Sequence, residues 1–120
     1  MSTPRVLQLP SGVTTVRVDT SRGSFAALRA VPASAVRGAV VLVPGWTGSK
    51  EDFTTLLAPL ARQGYLALAY DQRGQFETPG RTGGYSLAEL ASDLLAIAAT
   101  LPAPVHLVGH SFGGLVVQHA

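Results

Sequence analysis

Cysteine is absent from the 120 residues. That excludes disulfides, thiolate nucleophiles and Cys-ligated metal centres. Charge is scarce as well. Charged side chains make up 13% of the chain, and nine basic against seven acidic residues leave a net charge of +2. Lys50 is the only lysine, and the arginines are scattered from Arg5 to Arg81 without a cluster. A nucleic-acid surface needs a basic stripe, so no nucleic-acid partner is expected. No apolar run approaches the roughly 18 residues that a membrane-spanning helix requires. Met1–Gly12 lacks the basic stretch followed by an apolar one that marks a secretory leader. The expectation is a soluble, cytoplasmic protein with no membrane span. The three histidines, His106, His110 and His119, do not fall at metal-ligand spacing. No metal is expected, and there is no internal repeat or low-complexity segment.

What is present is apolar. Hydrophobic residues make up 47% of the chain, the reverse of the balance in a disordered chain, and the length suits one domain. Val13–Asp19 alternates, with valine at 13, 16 and 18. It is joined by the turn-rich Asp19–Gly23 to a second apolar stretch, Ser24–Val31. Residues 12–31 therefore read as a β-hairpin. Ala39–Val43 is a continuous apolar run between Gly38 and Pro44-Gly45, which suits a strand buried on both faces. Ser49 can cap a helix whose first turn holds Glu51 and Asp52, and Phe53, Leu56, Leu57, Leu60 and Ala61 form its apolar stripe. Gly64 can supply the left-handed residue that ends it.

Tyr65–Tyr70 reads as the next strand and Asp71–Gly84 as a polar loop. Ser86 and Glu89 make a capping box for a helix striped by Leu87, Leu90, Ala91, Leu94, Leu95 and Ala98. Pro102 and Pro104 end it. Val105–Val108 reads as a third buried strand, followed by a tight turn over Gly109–Gly114 and a further helix. Strands and helices alternating in this way indicate an α/β fold of right-handed parallel crossovers, here preceded by the hairpin.

Gly109-His110-Ser111-Phe112-Gly113 reads G-x-S-x-G. Alone the pattern is weak, and an ordinary glycine-rich turn with a capping Ser would also produce it. Its place decides, because it follows a buried strand and opens a helix. A Ser on so sharp a turn projects above the sheet, where the helix N-terminus favours developing negative charge. The N–H of Phe112 then faces an oxyanion, and small residues at Gly109 and Gly113 let strand and helix pack closely.

With that motif the chain resembles the α/β-hydrolase family of serine hydrolases. Pro44-Gly45-Trp46-Thr47-Gly48-Ser49 is similar to the family's oxyanion loop, Asp71-Gln72-Arg73-Gly74 to its D-x-R-G loop, and Gly109–Gly114 to its nucleophile elbow. The resemblance covers nearly the whole chain, from residue 39 to 114 most clearly, and implies the N-terminal half of the fold, a partial domain spanning 1–120. It implies Ser111 as nucleophile and the backbone N–H groups of Trp46 and Phe112 as the oxyanion hole. It implies a small-molecule acyl substrate (ester, thioester or related) and no cofactor. The sequence departs from the pattern at Pro44, where His is usual, and at Phe76 and Thr78, where Gly and Ser are usual. The nucleophile is Ser and not Asp, which argues against the dehalogenase and epoxide-hydrolase branches.

The remaining polar residues have plainer readings. Asp71 and Arg73 order a loop. His110 is structural, and His106 is a core or edge histidine. Glu51, Asp52, Glu89 and Asp93 are helix-cap and solvent-face charges. The Trp46 side chain lines a pocket or simply packs. In this family Ser, acid and His follow in chain order, yet Phe112–Ala120 contains no acid and only His119. Eight residues of helix rise about 12 Å, beyond hydrogen-bond reach of Ser111. The expectation is a fragment without acid or base, little turnover by itself, and self-association through an exposed sheet edge at the Ser-bearing strand. A cofactor-free lyase or perhydrolase on the same fold, or a non-catalytic binding protein, is the alternative. A dinucleotide-binding half-domain fails the G-x-G-x-x-G spacing.

Overall fold

The computed structural model describes residues 9–80 and 84–120. The expectations for residues 1–8 and for loop residues 81–83 lie outside these. β1 (Val13–Thr20) and β2 (Gly23–Ala30) form the hairpin, paired from Val13 opposite Ala30 to Thr20 opposite Gly23. β3 (Gly38–Val43), β4 (Tyr65–Tyr70) and β5 (Val105–Gly109) run parallel, and β2 lies antiparallel to β4. The sheet order is β1-β2-β4-β3-β5. A short 3-10 turn (Lys50–Phe53) leads into α1 (Thr54–Arg62), and α2 (Leu87–Ala98) and α3 (Phe112–His119) complete the chain.

The period of two along the strands divides the core between two faces. Leu28, Val40, Leu42, Ala67 and Ala69 pack with Phe53 and Leu57 from the α1 side. Phe25, Val41, Val43, Leu68 and Tyr70 pack with Leu90, Leu94, Ile97 and Val116 from α2 and α3. All six residues of β3 are buried, as its unbroken apolar run requires.

Three expectations change. β5 lies at the sheet edge, as the resemblance implies for the Ser-bearing strand, but it is not the buried strand expected: Val105 and Leu107 pack inward while His106 and Val108 are exposed. No helix covers that outer face among the described residues, and His106 meets the Tyr65 ring edge-on. The helix expected from Ser49 begins as the 3-10 turn, and Leu56 points outward while Leu57 is the buried residue. In α2 the inward face is Leu90, Ala91, Asp93, Leu94 and Ile97, and Leu95 is exposed. Gly64 takes φ 97°, as the end of α1 demands.

Candidate active site

β5 ends at Gly109 and α3 begins at Phe112, so strand passes to helix within His110-Ser111. Ser111 holds φ 56° and ψ −118°, a conformation that costs energy in any residue with a Cβ. Hydrogen bonds clamp the turn. His110 N–H donates to the Val43 carbonyl at 3.0 Å, Gly113 N–H to His110 at 2.9 Å and Gly114 N–H to Ser111 at 2.9 Å. The glycines allow the approach: a Cβ on Gly109 would overlap the Gly113 carbonyl, and one on Gly113 would sit 2.6 Å from the Pro44 oxygen.

Ser111 is exposed beyond the C-terminal end of β5. The loop after β3 lies against it, so that a Cβ on Gly45 would be 3.5 Å from Ser111 Cβ. Gly45, Trp46, Asp52, His110 and Ser111 help to line a cavity of about 240 Å³. Trp46 is 65% exposed and meets the Phe112 ring edge-on, with 5.0 Å between centroids. It also helps to line a larger cavity of about 390 Å³, with Phe112, Arg73, Tyr85 and Leu90. The backbone N–H groups of Trp46 and Phe112 make no hydrogen bond among the described residues. One free donor thus belongs to the loop that lies against the serine and the other to the residue after it, at the positive end of α3. His110 is exposed on the smaller cavity, more open than the structural role expected of it, and His119 lies in the last turn of α3.

The loop following β4 holds this arrangement from beneath. Asp71 is buried, and its carboxylate accepts from Lys50 N–H and Lys50 Nζ, each at 2.8 Å, and from Glu77 N–H at 3.1 Å. Burial lowers the Lys50 pKa, but hydrogen bonds to Asp71 and Glu77 outweigh it and hold the ammonium above the usual lysine range. Glu51, Asp71 and Glu77 bring carboxylate oxygens within 4.8 Å of one another. Lys50 Nζ already sits among them as the balancing cation, so the cluster is an ion-pair centre and not a metal site. Phe76 takes φ 20°, and its ring lies 5.0 Å from Lys50 Nζ. Thr78 Oγ1 accepts from Ala26 N–H at 2.9 Å. The two departures noted in the sequence therefore leave the loop anchored.

Arg73 orders the loop through Asp93, donating from Nε and Nη2 at 2.7 Å each, while Arg22 Nε donates to the same carboxylate at 2.8 Å. The Asp93 hydrogen bonds raise both arginines above their ordinary values. Asp93 is buried and not the solvent-face charge expected. Its place in the 90–94–97 stripe was the available signal. Gln72 and Gln75, also buried, were missed, because glutamine in a polar loop carries no pattern.

The sequence profile of the alpha/beta hydrolase family matches residues 40–120. A candidate carbamate hydrolase, RutD, of Variovorax paradoxus (strain S110) is 41% identical over 80 residues, 65% of this chain and 30% of the relative. A non-heme haloperoxidase of Rhodococcus erythropolis is 36% identical over 72 residues, 58% of this chain and 26% of the relative. This chain therefore spans less than a third of either curated relative. Among solved structures, an epoxide hydrolase from an endophytic Streptomyces superposes with a TM-score of 0.74 at 27% identity, over 92% of this chain and 34% of the other. The thioesterase domain from the curacin biosynthetic pathway shares the fold, with a TM-score of 0.75 at 20% identity, over 88% of this chain and 38% of the other. With its mixed sheet and its strand–serine–helix turn against the β3 loop, the chain belongs to the alpha/beta hydrolase family.

Proposed function

We propose that this chain carries the nucleophile and the oxyanion-binding loops of a serine hydrolase acting on carboxylic ester, thioester or related acyl bonds. The supporting observation is Ser111 at φ 56° on the strand–helix turn, with the Gly45–Trp46 loop against it and the backbone N–H groups of Trp46 and Phe112 without a partner among the described residues. Ser111 Oγ attacks the carbonyl carbon, and the π electrons move to the oxygen, which the two N–H groups stabilise. Collapse expels the leaving group and leaves an acyl-serine, which water then cleaves. Ser111 makes no side-chain hydrogen bond among the described residues. The base that takes its proton and returns it to the leaving group is a histidine of the whole protein.

Chemistry separates this reading from epoxide opening. A serine that opens an epoxide forms an ether, which water does not cleave, whereas an acyl-serine turns over. Carbamates fall within the acyl class, in keeping with the relative named for them. The haloperoxidase relative favours one runner-up: the same acyl-serine cleaved by hydrogen peroxide gives a peracid. Labelling the full-length protein with a fluorophosphonate is expected to modify Ser111. Ser111→Ala is expected to abolish the label and to lower ester turnover by about 10⁴-fold or more. Label retained in that variant rejects the nucleophile, and turnover seen only with peroxide selects the runner-up.

A further inference from the structure

We infer that Gln75 is a positioning residue whose side-chain amide sets the plane of the Gly45–Trp46 peptide, and so the direction of the Trp46 N–H. The inference rests on the reading of that N–H as an oxyanion donor. Gln75 is only 6% exposed. Its Nε2 donates to the Gly45 carbonyl at 2.8 Å and to the Trp46 carbonyl at 3.4 Å. Its Oε1 accepts from Gln72 N–H at 2.8 Å. Those partners fix the amide's orientation, because a flip would set oxygen against carbonyl oxygen and NH₂ against N–H.

The Gly45 carbonyl also accepts from Gly48 N–H at 3.1 Å. In a trans peptide the C=O and the following N–H point in opposite directions. A Gly45 carbonyl drawn toward Gln75 and Gly48 therefore aims the Trp46 N–H the other way. Gln75 is the side chain that acts on that peptide beside the Gly48 backbone bond, since the Trp46 N–H itself makes no hydrogen bond among the described residues and glycine leaves its backbone permissive. The loop after β4 thus sets, together with the Gly48 bond, the geometry of the loop after β3.

Trp46 is the only tryptophan and follows a glycine. Protein labelled with ¹³C′-glycine and ¹⁵N-tryptophan therefore gives a single HNCO cross-peak, from the Gly45–Trp46 peptide. Gln75→Glu keeps the acceptor for Gln72 N–H and removes the donor, and Gln75→Leu removes both. In each variant the peak is expected to shift in both the carbonyl and the amide dimension while the remaining amide spectrum stays dispersed. In the full-length protein, kcat for an ester is expected to fall about 10- to 100-fold with KM nearly unchanged, somewhat less than the loss of an oxyanion donor outright. A peak that stays in place in both variants overturns the inference whatever the activity. A shifted peak with unchanged kcat, where Ser111→Ala abolishes turnover, overturns the catalytic part of it. If Ser111→Ala leaves turnover intact, the serine-hydrolase reading is what fails, and the peak alone decides the role of Gln75 in holding the peptide.

Discussion

Tyr70 is fully buried, touches Phe25 edge-on, and has a hydroxyl without a hydrogen-bond partner among the described residues. Removing an unsatisfied buried hydroxyl costs nothing in bonds, so Tyr70→Phe is expected to be neutral or to stabilise by up to about 1 kcal/mol in urea unfolding at neutral pH. Burial, helped by the charge of Asp93, pushes the Tyr70 pKa up, and Lys50 is also raised by its carboxylate partners against its desolvation. Below about pH 10 both groups are protonated folded and unfolded, and their contribution is constant. Above about pH 10 the unfolded chain releases these protons first, so stability falls as pH rises toward the higher folded values. The urea midpoint is expected to decline there, and less steeply in Tyr70→Phe. Lys50→Met leaves the buried Asp71 carboxylate without its cation, at an expected cost of about 3–5 kcal/mol, and the added change Asp71→Asn should recover part of it.

At the scale of elements, α3 offers an internal comparison. An added Cβ at Gly113 collides with the backbone of Val43 and Pro44, whereas one at Gly114 meets only the Gly109 oxygen, at 3.7 Å. Gly113→Ala is expected to destabilise by about 3 kcal/mol or more, as an overpacked contact with backbone that cannot yield. Gly114→Ala, one residue on, is expected to stabilise by up to about 1 kcal/mol through helix propensity. Thermal melts of the two variants should move in opposite directions. The elements themselves were legible in the sequence because each rests on a local signal: the unbroken run at β3, the Ser86–Glu89 box before α2, Gly64 after α1. The serine turn was legible for the same reason, since its glycines are fixed by contacts within the motif. Local signals do not show which neighbour an element lacks. Val105–Val108 has the composition of a strand buried on both faces, and its edge position followed from the family resemblance and not from its own residues, while Asp93 and Lys50 carry charges buried by partners 20 and 21 residues away. Long-range pairing of that kind leaves no periodic trace.

At the scale of the molecule, β5 pairs with β3 on one side and shows no strand partner on the other among the described residues. With Val108 exposed on its outer face, such an edge is a template for pairing between chains. We expect the chain to associate with rising concentration in gel filtration, and a charge at the edge, Val108→Lys, to weaken that association. A monomer over the whole concentration range would remove the edge from consideration.

The position of β3 has a kinetic consequence. Amide hydrogens of a fully buried central strand exchange with solvent only when the whole domain opens, whereas those of an edge strand exchange through local fraying. The Gly45–Trp46 loop grows from the first kind of strand and the Ser111 turn from the second. Deuterium uptake should therefore be slow along Ala39–Val43 and fast along Val105–Gly109. The two walls of one site are therefore expected to differ in how long they last, the serine turn opening to exchange before the loop that faces it.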